Sequence, residues 1–562
     1  MEELRNSLMN LVLNGQFEKF LLLTIFSAMF SFLIFLIFEK LDLFKFLNKL
    51  PHKIFYILAF LVPFVFLLIW QILRHRNFFT NGLDLGLYSQ ILNRLSNFEA
   101  PESSIRGFKT VWGDHFRPLL YFVAPFSRIF GADYALLIFQ SFLIAFGSYR
   151  VFKIFSRFGF FAGSILSFGY FSFFGHQTAL AFDFHPAIIL SPVLIEIFNE
   201  MFFKEKPNFY ILVILAIVAM ISQEYVAIIM VWVFFAIFIL KILEEKISFE
   251  SIKNGFKNFY PLLIFSAFSG IYYIFVHELI IKPNAPNQTY MYFTYETMGE
   301  NYGDVIKNMI FSPYRTFAIL FDTPVKIEAF WELAFVSVFL MIINFKTFFL
   351  ISVPILMKFL NTDPAINFNF YHYSVYHFSF FIVGFFEIYK LINSQTFFSK
   401  TKLLNFANIF FLVIFIISNF FIKKWSYSEF LYEIRPNNQK QEFLKEIKKI
   451  SKTSYVTGSN KFMAHFGDFE KAEVLCYRDR KTLFSKSFFN NPEREFFELS
   501  GKVWIPKNFK TLPYFNEFDY IILSKNVNES YPCSIEELEF VKQNPSYEKI
   551  FENEIGIILR KI

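Results

Sequence analysis

Blocks of apolar residues, separated by short polar connectors, fill this chain from its N-terminus to about Phe421 and then stop. A helix needs about 20 apolar residues to cross a hydrocarbon core about 30 Å thick. Read as helices, the blocks predict about twelve spans, near 20–38, 54–73, 132–149, 158–175, 186–203, 209–221, 223–240, 259–278, 329–345, 347–360, 375–391 and 403–421. Phe116–Phe130 is left out of that set. It is apolar over much of its surface, but Arg117, Pro118, Pro125 and Arg128 break it. It reads as a helix lying on the membrane.

Beyond Phe421 the polarity is mixed. Gln439–Ile450 has helical periodicity and many Lys/Glu pairs. Tyr455–Thr457, Glu473–Leu475, Tyr520–Leu523 and Ile555–Leu559 read as strands, and Ser534–Gln543 as a helix. Short strands alternating with helices predict a small sheet covered by helices. No Gly-rich phosphate fingerprint follows any strand, so no nucleotide site is expected there. The predicted fold class is an α-helical polytopic membrane protein with a small C-terminal α/β extracytoplasmic domain. Its parts are an extra N-terminal span and cytoplasmic loop (1–53), a membrane domain (54–421) with external loops 75–131 and 279–328, and the α/β domain (422–562).

Composition excludes a soluble enzyme: of 562 residues, 55% are hydrophobic and 18% charged. The 89 Phe residues exceed what one packed core needs and fit lipid contact. A net charge of +7 would suit nucleic acid, but the cations sit between apolar blocks, and no nucleic-acid partner is expected. Arg150, Lys153 and Arg157 fill one short loop, Lys204 and Lys206 another. Lys241, Lys246, Lys253 and Lys257 fill a third, and Lys390, Lys400 and Lys402 a fourth. The intervening loops 176–185 and 361–374 carry neither Lys nor Arg. The positive-inside rule then places the basic loops in the cytoplasm. The long loops and the tail fall outside a cytoplasmic (inner) membrane. Phe20–Phe38 is too long for a cleavable signal and is followed by more spans. Cys476 and Cys533 exclude a disulfide framework and a zinc ribbon, and leave one bridge open if the tail is extracytoplasmic.

Ionisable groups gather on the predicted outer side. Asp84 follows the second span, and Asp114-His115 ends the same loop. Asp183-Phe184-His185-Pro186 opens a span, Gln223-Glu224-Tyr225 lies at a turn, and His372-Tyr373 precedes another span. Such groups against a bilayer cost roughly 2.5–3.5 kcal/mol at mid-helix, so they line a cavity or pair. Each has a plainer reading. Asp84 suits an N-cap of Leu85–Leu95, and Asp114-His115 suits a loop end in water. His185 before Pro186 suits a helix start. Glu224 interrupts a run of about thirty apolar residues and is harder to explain structurally. Glu196 suits a pairing with a basic group.

Sugar transfer from a lipid phosphate needs a carboxylate to take the acceptor's proton and cations to meet the departing phosphate. Asp84 is the candidate base. Arg74, Arg76, Arg106, Lys109 and Arg117 in the first loop, with Arg315 and Lys326 in the second, are the candidate phosphate partners. Arg suits bidentate phosphate contacts.

The segments Leu83–Gln90, Gly113–Pro118, Asp183–Pro186 and Gln223-Glu224, in that order, resemble a large family of predicted bacterial and archaeal membrane proteins. That family is similar to the GT-C superfamily, which contains protein mannosyltransferases and the aminoarabinose transferases of lipid A. The resemblance covers roughly Asn77 to Phe385. It implies a GT-C-like, multispan enzyme that uses a polyprenyl-phosphate-linked sugar and inverts the anomeric carbon. An acidic residue of the first external loop would act as base, a role that falls on Asp84. It also implies that Asp114 and His115 stand near the acceptor or the donor phosphate. His185, Glu224, His372 and Tyr373, which share the predicted outer side, are candidate substrate contacts on that ground. Where the family pattern has Lys-Glu-Asp, this chain has Gln223-Glu224-Tyr225, losing a cation and a carboxylate. No cofactor and no metal are expected. The partners expected are membrane lipids, the lipid-linked sugar and an acceptor that is a glycan, a lipid or a protein. The competing readings are a transporter or lipid flippase, which should show inverted repeats and interrupted helices near the midplane, and a non-catalytic membrane scaffold.

Overall fold

The structure is a computed structural model describing residues 2–44, 52–105, 110–244, 249–285, 293–369, 371–395, 399–422, 431–476, 516–526, 533 and 535–562. Arg106, Lys109, Lys246 and Ser534 lie outside the described residues.

Among the described residues, 8 helical segments are long and apolar enough to cross a membrane: 4–40, 53–76, 132–158, 186–203, 226–244, 252–284, 372–394 and 400–421. The other predicted spans are shorter or broken. The block at 158–175 divides into the helices Phe160–Phe171 and Phe174–Ala181. The block at 209–221 is the helix Phe209–Met220, and that at 347–360 is Phe345–Phe359. The block at 329–345 divides into Pro324–Val336 and Leu340–Ile343. The break there falls where Val338 and Phe339 both take left-handed backbone, with φ of 54° and 58°. Two such residues in a row end a right-handed helix. Leu119–Phe130 has only 12 residues, too few to cross. Leu119, Leu120, Val123 and Ala124 are buried, while Phe122 and Ile129 are exposed, a one-sided pattern suited to an interface.

The two long loops meet each other, and the first also meets the tail. The N-terminal helix Glu2–Leu13 packs on Pro313–Leu320 of the second long loop, and Ser7 Oγ donates to the Ala318 carbonyl at 2.7 Å. A Cβ on Gly113 in the first loop would overlap the Asn284 carbonyl of the second. At other helix ends the basic loops make their own pairs. Arg150 Nη2 donates to Glu196 at 2.7 Å, Arg157 Nη1 donates to the Phe203 carbonyl at 2.7 Å, and Lys346 bridges Glu244 and Glu387.

The tail holds a five-stranded sheet of order β2-β1-β3-β5-β4. The strands are β1 (Tyr455–Gly458), β2 (Lys471–Val474), β3 (Tyr520–Ser524), β4 (Tyr547–Glu552) and β5 (Gly556–Lys561). β1 runs parallel to β2 and β3, whereas β5 runs antiparallel to β3 and β4. The helices Asn438–Ile447 and Ile535–Lys542 accompany it. Cys476 and Cys533 form a disulfide across a sequence separation of 57.

Candidate functional site

Asp84 sits in a single π-type turn, Gly82–Gly86, that leads into the helix Leu87–Ser96. Such turns are uncommon and frequent at functional sites, although two others, Asn199–Phe203 and His277–Ile281, lie away from Asp84 in sequence. Three successive side chains leave it in different directions. Leu83 enters the core of the tail with Phe462 and Met463. Leu85 enters a separate cluster with Tyr88, Phe184 and Leu136. The Asp84 carboxylate faces His185, with Oδ1 3.6 Å from Nε2. The helix that follows begins at Leu87 with Gly86 at its N-cap, so the cap position expected of Asp84 falls to Gly86. His185 is extended and precedes the 3-10 turn Pro186–Ile189, so the helix-start reading coexists with that role.

The His185 ring lies on that of His372, centroids 3.6 Å apart, with Phe182 stacked at 5.4 Å. Tyr373 packs on His372 at 4.1 Å. His372 also feels the charges of Arg117, His115 and Lys358. Arg117 and Asp114 are both buried and pair at 3.5 Å. The Arg117 guanidinium lies 4.9 Å over the Tyr88 ring, a favourable cation–π position. Tyr88 in turn meets His185 edge-on at 6.2 Å. His115 Nδ1 approaches Glu224 Oε1 at 2.5 Å, and the Phe116 N–H donates to Glu224 Oε2 at 3.1 Å. Glu224, fully buried in a turn between two apolar helices, is thus held by the end of the first loop. Asp84, Asp114, His115, Arg117, His185, Glu224, His372 and Tyr373 form one neighbourhood.

Four other candidate cations, Arg74, Arg76, Arg315 and Lys326, are placed differently from Arg117. Arg74 is 2% exposed; its Nε donates to Glu433 at 2.9 Å, and Nη2 donates to the Phe79 and Ala181 carbonyls at 2.9 and 2.7 Å. Nη1 donates to the Leu180 carbonyl at 3.3 Å. A guanidinium so engaged is part of the frame. Arg76 is exposed at the end of its span. Arg315 is exposed and donates to the Thr297 carbonyl at 2.8 Å. Lys326 pairs with Asp322 at 2.9 Å and donates to the Ile319 carbonyl at 2.9 Å.

Residues outside the predicted set complete the surroundings. Asp183, buried with φ 65°, lies 3.8 Å from Arg74 and accepts the Asn81 N–H at 2.6 Å. Burial pushes its carboxyl up to about 8; Arg74 opposes that rise and the nearby Asp84 adds to it. Lys358, also buried, donates to the Ile366 and Phe368 carbonyls at 2.8 Å each and so fixes the loop before His372. Asp183 was visible as part of its Asp-Phe-His-Pro motif. Glu433 and Lys358 carried no such signal. No group of three or more His, Cys, Asp or Glu among the described residues is arranged to hold a metal ion.

The family model described as "Predicted membrane protein (DUF2079)" matches residues 74–541. The chain belongs to that family. The family match and the long apolar helices make this DUF2079 member a multi-pass membrane protein. No curated protein matches the sequence. Two crystal structures of ArnT from Cupriavidus metallidurans are similar to it. The apo form is 8% identical, with TM-score 0.47 over 91% of this chain and 99% of that one. The form bound to undecaprenyl phosphate is 8% identical, with TM-score 0.48 over 90% and 98%.

Proposed function

We propose that this chain is a membrane glycosyltransferase that moves a sugar from a polyprenyl-phosphate donor to an acceptor at the extracytoplasmic face of the inner membrane. The observation that carries the reading is the convergence of the Asp84–His185 pair and buried Arg117 on the Tyr88 ring. A proton acceptor and a cation lie within one polar neighbourhood, as the chemistry requires.

In the proposed step, the Asp84 carboxylate takes the proton of the acceptor hydroxyl. The acceptor oxygen forms a bond to the anomeric carbon as the bond from that carbon to the phosphate oxygen breaks. The polyprenyl phosphate leaves with the electron pair, and Arg117 meets its charge. Attack opposite the leaving group inverts the anomeric carbon. His185 orients the Asp84 carboxylate, while the His115–Glu224 pair holds the end of the first loop against the bundle. The proposed sidedness has two supports: the alternation of Lys and Arg among the short loops, and the Cys476–Cys533 bond, which suits an oxidising compartment.

The test uses the full chain in nanodiscs with a panel of radiolabelled undecaprenyl-phosphate sugars and an acceptor fraction from cell envelope. Wild type should consume one of them. Asp84→Asn should lose about 10²–10⁴-fold in turnover at unchanged expression and insertion. Equal turnover by the variant removes Asp84 as base.

A further inference from the structure

The tail's sheet is built against the loop that carries Asp84. The Leu83 N–H, at the start of the π-type turn, has no partner within the first turn of its own helix. Asn460, just after β1, supplies one: its Oδ1 accepts that N–H at 2.9 Å. The Asn460 amide also approaches Asn81 Oδ1 at 3.4 Å. The Asn81 N–H in turn donates to Asp183. A continuous set of contacts, Asp183–Asn81–Asn460–Leu83, therefore holds the stretch of chain that leads into Asp84.

The packing around these bonds is at backbone distance. A Cβ on Gly82 would come 2.5 Å from Met463 Cβ, and one on Gly86 would come 2.8 Å from the Met463 carbonyl oxygen. A Cβ on Gly467 would overlap Ser89. Further along the loop, Ser104 Oγ donates to the Ala472 carbonyl at 2.8 Å and accepts the Ala472 N–H at 3.0 Å. That hydroxyl caps the outer edge of β2, the first strand in the sheet order. Glu433, at the start of the tail, accepts from both Trp70 Nε1 and Arg74 Nε at 2.9 Å. The glycines flanking Asp84 thus have a tertiary reason: only residues without a side chain let the tail seat this closely.

We propose that the C-terminal domain is the positioning element for Asp84, and that Asn460 is the residue that sets its turn. The face of the domain next to β1 and β2 is occupied by the first loop, so it is not an acceptor-docking face. The catalytic consequence rests on the reading of Asp84 as base; the structural claim does not. Asn460 is a positioning residue, acting through the Leu83 N–H and Asn81.

Hydrogen exchange with mass spectrometry on the full chain in nanodiscs reads the contact directly. Asn460→Ala should speed exchange across residues 81–86 by about tenfold, the effect of losing one buried hydrogen bond, while the β3 and β5 peptides stay protected. Asn460→Asp keeps the acceptor and should restore most of the protection. In the undecaprenyl-phosphate sugar assay, Asn460→Ala should lower kcat by about tenfold with KM for the donor unchanged. Unchanged exchange at 81–86 in Asn460→Ala overturns the proposal, as does equal acceleration throughout the tail. If Asp84→Asn keeps full turnover while Asn460→Ala still loosens 81–86, the base assignment falls and the positioning claim stands.

Discussion

His185 and His372 lie ring on ring, their centroids 3.6 Å apart and their planes 14° from parallel. Phe182 stacks on His185 at an interplanar angle of 16° and on His372 at 20°. Stacking fixes the plane of the His185 imidazole, and that plane aims Nε2 at Asp84. His372→Phe preserves a flat ring and should cost less than about tenfold in transfer. His185→Phe removes the nitrogen facing Asp84 and should cost on the order of 10²-fold. Equal losses in the two variants would assign the ring stack some other role.

Arg74 and Glu433 form a buried pair that ties the second span to the tail. Breaking a buried pair by removing one partner costs about 3–5 kcal/mol, and Asp183, 3.8 Å from Arg74, offsets part of that here. Glu433→Ala should therefore unfold at markedly lower denaturant concentration than wild type. Arg76→Ala, at an exposed site, should sit within about 0.5 kcal/mol of wild type. A Glu433→Ala midpoint matching wild type would show that the pair is solvated in the native protein.

Asp183 sets a pH dependence. Its carboxyl is pushed from the usual 3.8 up to about 8, so the folded protein keeps a proton that the unfolded chain releases. The stability this contributes is fully present below about 4, falls as pH rises towards about 8, and is flat beyond. Asp183→Asn stays neutral and keeps an oxygen for the Asn81 N–H. Its melting temperature should gain on wild type steadily between pH 5 and 8. Parallel curves would mean that Arg74 keeps Asp183 ionised throughout.

The Cys476–Cys533 bond closes a loop of sequence separation 57. On the chain-entropy account a loop of that length is worth about 4 kcal/mol to the folded tail. Cys476→Ser should lower the tail's unfolding midpoint accordingly. The same bond tests sidedness: in intact cells, an impermeant thiol reagent should label the tail only after an impermeant reductant has been added. Labelling without reductant would place reduced cysteines in the native protein.

The alternation of long apolar blocks with polar connectors was enough to find the membrane helices, because a bilayer demands that every residue of a span be tolerable in hydrocarbon. The core strands β1, β3 and β5 were legible for the related reason that their side chains are mostly buried. β4 was not. It ends the sheet order and is mostly exposed, so Tyr547–Glu552 shows no apolar alternation to read. The site divides the same way. Asp84, Asp114, His185 and Glu224 stood out because a charge beside apolar blocks is costly wherever it lies. That Arg74 belongs to Glu433, Leu83 to Asn460 and His185 to His372 was decided by packing between segments far apart in sequence. Local hydrophobic periodicity records what each segment must bury, and it holds no information on which distant segment supplies the partner.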